Sequence, residues 1–216
     1  PSSREREPMT TETQAPPLAV EYVKTIGIVN NGFNGRGFTN PVDTAVSSDG
    51  RIFVLNRCDV ARQSAIRVGI CNLDEDYLGE FGDGFGDGDT HFKLPTAMVF
   101  DRGDRLHIAD EGNNRVTVFD SDGAFVRKWG ELGSGDGQFD GPSGIAIDSN
   151  DHYYVSDQNN HRVQKYDSNG RFIAQWGSFG GDEGQFNMPW GVCVDTDDNV
   201  YVADWRNDRV QKFDPT

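Results

Sequence analysis

Residues 139–167, "FDGPSGIAIDSNDHYYVSDQNNHRVQKYD", decide the fold because the same pattern stands at two other places in the chain. The other copies are residues 92–120, "FKLPTAMVFDRGDRLHIADEGNNRVTVFD", and residues 186–214, "FNMPWGVCVDTDDNVYVADWRNDRVQKFD". Each copy opens on a phenylalanine, and these phenylalanines follow one another at intervals of 47 residues. Self-similarity at a period in the forties is typical of repeat architectures, in which every copy forms one structural unit.

An earlier copy opens at Phe38 with "FTNPVDTAVSSDGRIFVLN", 54 residues before Phe92. Most of the excess falls in Arg57–Ala65, "RCDVARQSA", which adds six residues to the connection between the second and third predicted strands. The first copy therefore follows the same plan with one enlarged loop.

Within the copy that begins at Phe139, short runs of apolar, β-branched and aromatic residues predict four strands. The runs are "GIAID", "HYYVSD", "RVQKYD" and, after the turn "SNG", "RFIAQWG". Asn169-Gly170 and Asp122-Gly123 suit tight hairpins that need a positive φ. Four antiparallel strands per copy, joined by glycine-rich linkers, predict an all-β fold made of four-stranded β-propeller blades that stack around an axis.

The glycine-rich stretch Glu80–Phe92, "EFGDGFGDGDTHF", carries the acidic residues of a calcium loop. Its spacing does not fit an EF-hand, because the pattern that starts at Asp83 places Phe85 where an acid or amide is required. "WGELGSGDGQF" from Trp129 and "WGSFGGDEGQF" from Trp176 occupy the same place in later copies. We therefore predict that the stretch is a linker from the outer strand of one blade to the inner strand of the next.

The segments "GQFDGPSGIAID", "YYVSDQNNHRVQKYD" and "FIAQWGSFG" resemble the NHL-repeat family of β-propellers. The resemblance covers residues 21–216 and rests on the phenylalanine, the following proline, the strand-end aspartate, "NxRV" and "WG" in fixed order. It implies four-stranded blades and, in common members, six of them.

About four blades' worth of sequence is present, which leaves two interpretations of the ring. The N-terminal strand candidate "EYVKTIG" closes a four-bladed ring, or the chain is a fragment of a six-bladed one. We favour the fragment, because the chain stops at "FDPT", where a further strand is expected. Residues 1–20 are polar and proline-bearing, and we predict a disordered leader there.

The composition argues against several classes of function. The chain has 20 Lys and Arg against 35 Asp and Glu, and this net charge of −15 repels nucleic acid phosphates. There is no apolar run of membrane-spanning length and no signal-peptide pattern, so we expect a cytoplasmic protein without membrane contact. The cysteines Cys58, Cys71 and Cys193 show neither a disulfide framework nor zinc-site spacing.

The titratable side chains predict structural rather than catalytic roles. The four histidines occupy four different repeat positions, so no symmetric zinc site is predicted: His91, His107, His152 and His161. Three aspartates each precede an arginine by five residues and predict an ion pair in each blade: Asp110–Arg115, Asp157–Arg162 and Asp204–Arg209. We expect no metal, no cofactor and no catalytic residue.

Trp190 and Trp205 stand at positions where the other copies carry no tryptophan. By topology both lie near the face of the linkers and of the enlarged loop, where an aromatic pair can bind a ligand. The predicted ligand-binding residues are Trp190, Trp205, Asp43, Arg57, Arg62 and Thr96. The alternative is that the two tryptophans pack against an adjoining blade or segment.

These features predict a non-enzymatic scaffold that binds a protein, a peptide or a small molecule through the linker face. The alternative is a propeller enzyme of the lyase or lactonase type, as the architecture shared with such enzymes implies, with its site on the central axis. The sequence offers chiefly Asp43 and Thr96 there. RNA binding, which the family resemblance also implies, ranks third because of the acidic charge.

Overall fold

The computed structural model describes residues 21–26, 38–57 and 64–215, and their strands form four antiparallel sheets. Blade 1 contains β1 (Pro41–Val46), β2 (Ile52–Asn56), β3 (Arg67–Cys71) and β4 (Tyr77–Phe81). Blade 2 contains β5 (Pro95–Phe100), β6 (Leu106–Asp110), β7 (Arg115–Phe119) and β8 (Phe125–Trp129). Blade 3 contains β9 (Pro142–Ile147), β10 (Tyr153–Asp157), β11 (Arg162–Tyr166) and β12 (Phe172–Trp176). Blade 4 contains β13 (Pro189–Val194), β14 (Val200–Asp204) and β15 (Arg209–Phe213). The predicted all-β propeller is confirmed.

Asx-type turns join the strands of each blade. After β9, Asp148 accepts hydrogen bonds at Oδ1 from the backbone N–H groups of Asn150 and His152, at 2.8 and 2.9 Å. Between β11 and β12, Asp167 does the same for Asn169 and Arg171, and Gly170 takes the positive φ of 76° that the turn requires. The aspartates at strand ends therefore hold the turns.

The hydrophobic core lies between the blades. The inner strands pack in chain order, β1 on β5, β5 on β9, and β9 on β13. A fully buried phenylalanine enters each boundary from the linker: Phe92 between blades 1 and 2, Phe139 between blades 2 and 3, and Phe186 between blades 3 and 4. The residue that opens each copy in the sequence thus closes the core of the blade before it.

The linkers are held by the arginine that begins the third strand of each later blade. Arg162 donates hydrogen bonds to the carbonyl oxygens of Ser134, Gly135 and Gln138, at 2.8 to 2.9 Å. Arg115 makes the equivalent bonds in blade 2, to the carbonyls of Asp87, Gly88 and His91. The stretch that resembles a calcium loop is therefore the architectural linker that the repeat predicts.

The predicted Asp–Arg pairs form in blades 3 and 4 only. Arg162 lies 2.8 Å from Asp157, and Arg209 lies 2.9 Å from Asp204. The pair predicted in blade 2 is wrong, because Arg115 donates from Nε to Thr117 Oγ1. Thr117 stands where blades 3 and 4 have glutamine, and Gln164 and Gln211 each bind the aspartate themselves.

The two end blades each leave one face uncovered among the described residues. The strand expected in "EYVKTIG" is absent from residues 21–26, where Lys24 instead contacts Leu73 O and Glu75 in blade 1. The sheet of blade 4 keeps three strands, and β13 does not pack along β1 as the other inner strands pack. The predicted leader, residues 1–20, lies outside the described residues, as do Cys58 and Arg62.

Candidate functional site

The two tryptophans selected from the sequence lie together on the surface of blade 4. Trp190 is on β13 and Trp205 begins the short 3-10 helix Trp205–Asn207. Their ring centroids are 5.8 Å apart at an interplanar angle of 67°, an edge-to-face pair. Trp205 is 52% exposed and Trp190 is 36% exposed, so both rings can contact a ligand.

The loop between β14 and β15 fixes the position of Trp205. Asn207 donates from Nδ2 to Asp204 Oδ2 and to Gly180 O, both at 2.8 Å, which ties the loop to the preceding linker. The backbone N–H of Arg206 donates to Asn187 O at 3.0 Å. These anchors occupy the polar groups that face inward and leave the side chain of Trp205 outside.

Beside Trp205 is an open surface pocket of about 440 Å³, lined by Asn187, Trp205, Arg206 and Asp208. The guanidinium of Arg206 lies over the Trp205 ring, 4.8 Å from its centroid, in a cation–π contact. Asp208 adds a carboxylate, whose negative charge offsets the positive charge of Arg206. The pocket thus combines an aromatic surface with one fixed cation, one carboxylate and one amide.

Sequence comparison between copies selected only Trp205 among these four lining residues. Arg206 carries the same kind of signal, because the equivalent residues in blades 2 and 3 are Gly112 and Asn159. A change of charge at one repeat position departs from the repeat pattern as clearly as an added aromatic ring does. Asp208 gives this signal as well, because the equivalent residues, Asn114 and His161, are not carboxylates.

The remaining predicted site residues do not join the tryptophan pair. Thr96 is buried and donates from Oγ1 to Pro142 O at 3.1 Å, across the boundary between blades 2 and 3. Arg57 pairs with Glu111 at 3.5 Å. Both therefore brace neighbouring blades, and Arg62 lies outside the described residues.

Asp43 links blades 1 and 2 close to the inner strands. Its Oδ2 accepts the backbone N–H of Met98 at 2.7 Å, and its Oδ1 accepts that of Thr44 at 2.8 Å. Burial raises the pKa of this carboxyl above its ordinary value, against the lowering effect of the two hydrogen bonds. Its carboxylate oxygens are thus already engaged by backbone donors.

A second polar cluster, buried between blades 2 and 3, contains Asp101, His107 and Tyr153. His107 Nε2 lies 3.1 Å from Asp101 Oδ2 and 3.0 Å from the Tyr153 hydroxyl, which donates to the same carboxylate oxygen at 3.2 Å. Burial lowers the pKa of His107 and raises the pKa of Tyr153. Although burial opposes it, bonds from His107 and Arg105 hold the pKa of Asp101 below its usual range. The structural role predicted for the histidines is confirmed for His107, because its ring is fully buried.

No three side chains of His, Cys, Asp or Glu in residues 21–26, 38–57 and 64–215 converge as metal ligands would. In the same ranges no helix has the length and apolarity needed to cross a bilayer.

The family model for the NHL repeat matches residues 139–166 and 186–213, which are the first three strands of blades 3 and 4. The chain contains NHL repeats. It is 27% identical over 112 residues to human NHL repeat-containing protein 3, a match that covers 51% of this chain and 31% of the relative. The mouse protein of the same name is also 27% identical, over 116 residues. The chain thus spans about a third of the length of these curated relatives.

Solved structures similar to this NHL-repeat propeller share its fold at low sequence identity. A streptogramin B lyase superimposes with a TM-score of 0.61 at 15% identity, over 83% of this chain and 56% of the lyase. Virginiamycin B lyase from Staphylococcus aureus gives 0.53 at 16%, over 80% and 55%. A chain of a nidogen/laminin complex gives 0.56 at 19%, over 79% and 58%. These likenesses establish the fold and leave the activity to be argued from the site.

Proposed function

We propose that the NHL-repeat propeller is a non-enzymatic scaffold that binds a basic protein or peptide through the aromatic site of blade 4. The observation that carries the proposal is the exposed pair Trp190 and Trp205 beside the pocket of Arg206 and Asp208. Tryptophan and arginine are the residues in which protein-binding energy concentrates. One structural neighbour is a chain of a nidogen/laminin complex, which is a protein–protein assembly.

The charge of the chain favours a basic partner. A net charge of −15 attracts cationic ligands over long distances and raises their rate of encounter. At the site itself, Asp208 can pair with a lysine or arginine of the ligand, while the face of Trp190 accepts an apolar or cationic side chain. The open shape of the pocket suits an extended segment better than a fully enclosed small molecule.

A displayed peptide library selected on the purified chain tests the proposal. The affinity of selected peptides is measured for wild type, Trp205→Ala and Trp190→Ala. Leu132→Ala is the control, because Leu132 is an exposed apolar residue in the linker between blades 2 and 3, far in sequence from the two tryptophans. We expect the tryptophan variants to weaken binding more than about 30-fold, as removal of a binding hot spot does. Peptides that bind all four proteins equally would reject this site.

The second candidate, a lyase-type enzyme with an axial site, draws on the fold shared with streptogramin B lyase. Fold alone does not carry activity. Elemental analysis of the purified chain distinguishes the two candidates, because a stoichiometric bound metal would favour the enzyme and count against the scaffold.

A further inference from the structure

The turn between β11 and β12 carries a serine hydroxyl that has no hydrogen-bond partner among the described residues. The carboxylate of Asp167 fixes this turn through two backbone N–H groups, at 2.8 and 2.9 Å. Ser168 follows Asp167 in the chain and is half-buried. By contrast, the hydroxyl of Ser149, in the turn after β9, donates to Asp198 of blade 4 at 2.5 Å. The Ser168 hydroxyl is therefore available for chemical modification.

An arginine of the preceding blade reaches this turn. Arg127 lies on β8 two residues before Trp129, so the two side chains share one side of the strand. That side faces blade 3, because the Trp129 ring packs on Tyr166 with centroids 4.4 Å apart. Nη2 of Arg127 donates to the backbone oxygen of Ser168 at 2.8 Å. Nε of Arg127 is buried and has no partner among the described residues, so the guanidinium keeps an unused donor beside the serine.

The charge of Arg127 has no anionic partner in the described part of the chain. Arg105, which also lies at the boundary between blades 2 and 3, is paired with Asp101 at 2.7 Å. Arg127 is half-buried, and its charge adds to the effect of burial in lowering the pKa of His107. An anion placed beside such a guanidinium gains charge-assisted hydrogen bonds, which are stronger than those between neutral groups.

The repeat shows that this arrangement is particular to the boundary between blades 2 and 3. The residue of β4 that is equivalent to Arg127 is Gly79. Ser121, which is the equivalent of Ser168 in the turn of blade 2, therefore has no arginine at that position. Arg51 reaches the turn of Ser121, but it is already paired with two carboxylates. The chain thus contains a matched serine that lacks the unpaired cation.

We propose that Ser168 is a phosphorylation site whose phosphate is bound by Arg127 across the boundary between blades 2 and 3. In the transfer, Ser168 Oγ attacks the γ-phosphorus of a nucleoside triphosphate held by a protein kinase. The Oγ–P bond forms, and the bond from that phosphorus to the bridging oxygen breaks. The nucleoside diphosphate leaves, and the hydroxyl proton passes to the general base of the kinase. The phosphate adds about two negative charges and three acceptor oxygens, which tie the turn of blade 3 to the outer strand of blade 2.

Phosphorus NMR of a chain with Ser168→phosphoserine, introduced by genetic-code expansion, tests the contact. We expect the second pKa of the phosphate to lie at least about 1 below its usual value of about 6, because the arginine favours the dianion. Adding Arg127→Ala should return this pKa to about 6. Blade 3 has Ala174 at the equivalent position, so the variant suits the strand, and thermal unfolding verifies that it folds. Ser121→phosphoserine is the matched control and should stay near the usual pKa. Equal values at the two serines, or a value at Ser168 that Arg127→Ala leaves unchanged, would overturn the contact.

Mass spectrometry of the protein purified from its native cells tests whether the modification occurs. Trypsin releases residues 166–171, "YDSNGR", in which Ser168 is the one serine. We expect phosphate on Ser168 in this peptide and none on Ser121 in the peptide of residues 116–127, while Ser168→Ala should abolish the signal. A peptide that carries no phosphate would overturn the proposal. Peptide binding at the tryptophans of blade 4 is measured separately, so its failure would leave this result unaffected.

Discussion

His107 and Tyr153 lie ring over ring at the boundary between blades 2 and 3, with centroids 4.2 Å apart. The imidazole is neutral there, since burial depresses its pKa more than Asp101 raises it. A buried neutral histidine makes the folded protein less stable at low pH, because the unfolded chain takes up a proton that the folded chain does not.

The pH dependence of stability follows from this sign. The stability that His107 preserves is present above its unfolded pKa, and it is lost as the pH falls below about 6.5 toward the lower folded value. The slope is at most about 1.4 kcal/mol per pH unit. Urea unfolding of wild type and His107→Phe between pH 7 and 5 measures it. The variant has the residue of Phe53 at this repeat position and should show a flatter profile, whereas equal slopes would assign the effect to another group.

Arg162 ties three linker carbonyls to the buried carboxylate of Asp157. We expect Arg162→Leu to lower the free energy of unfolding by about 3 to 5 kcal/mol, because the buried carboxylate of Asp157 loses its cationic partner. Arg171→Leu is the control, since Arg171 occupies an exposed turn. Urea denaturation of both variants gives the comparison, and an equal small loss in each would show that the linker is held by other contacts.

At the scale of single side chains the sequence predicts positions better than partners. The repeat predicts a structural role for His107 and an ion pair of Asp157 with Arg162, and both are confirmed. It could not predict that Arg115 binds Thr117, because the choice depends on the reach of a hydroxyl against that of a glutamine amide. Arg206 was recoverable by the register comparison that found Trp205.

At the scale of elements, the tight point is the junction between each outer strand and its linker. Gly177 follows β12 with a φ of 107°, and a Cβ there would lie 2.5 Å from the ring of Phe186 and 2.8 Å from His161 O. The backbone and the buried ring leave no room for a side chain. The linker phenylalanine can therefore be buried in the core only where a glycine follows the outer strand.

A side chain at this junction should weaken the packing of blade 4 on blade 3. We expect Gly177→Ala to cost more than about 2 kcal/mol of unfolding free energy, from backbone strain and the clash with Phe186. Gly181→Ala is the matched control, since Gly181 lies in the same linker with open space around its Cα. Thermal unfolding of the two variants decides the point, and equal melting temperatures would contradict the packing described.

At the scale of the whole molecule, the acidic charge governs encounter with the proposed basic ligand. We expect the association rate constant of a selected basic peptide to fall roughly 10-fold between low and physiological salt, because screening shortens the reach of the −15 charge. Stopped-flow tryptophan fluorescence follows binding directly at the site. A neutral peptide should show little change, and an equal response of both peptides would exclude steering.

The blade plan could be predicted from sequence, while the state of the two end faces could not. A period of 47 residues specifies strands, turns and linkers, since these are local or nearest-neighbour features. Whether blade 4 meets blade 1 depends on the summed rotation of all four blades, which no single repeat encodes. In residues 21–26, the described part of "EYVKTIG", no strand completes the last sheet, and Lys24 contacts blade 1 instead.

The phenylalanine that each copy contributes to its predecessor also sets an order of events on the ribosome. A blade that has just emerged from the ribosome lacks the phenylalanine that covers its core until the next copy has been translated as far as Phe139 or Phe186. The core of each blade is therefore completed only after the next copy has been synthesised. Until then, the most recently synthesised blade of a nascent chain exposes an apolar surface. Chaperones that recognise exposed aliphatic residues would meet this protein at a moving position that advances one copy at a time.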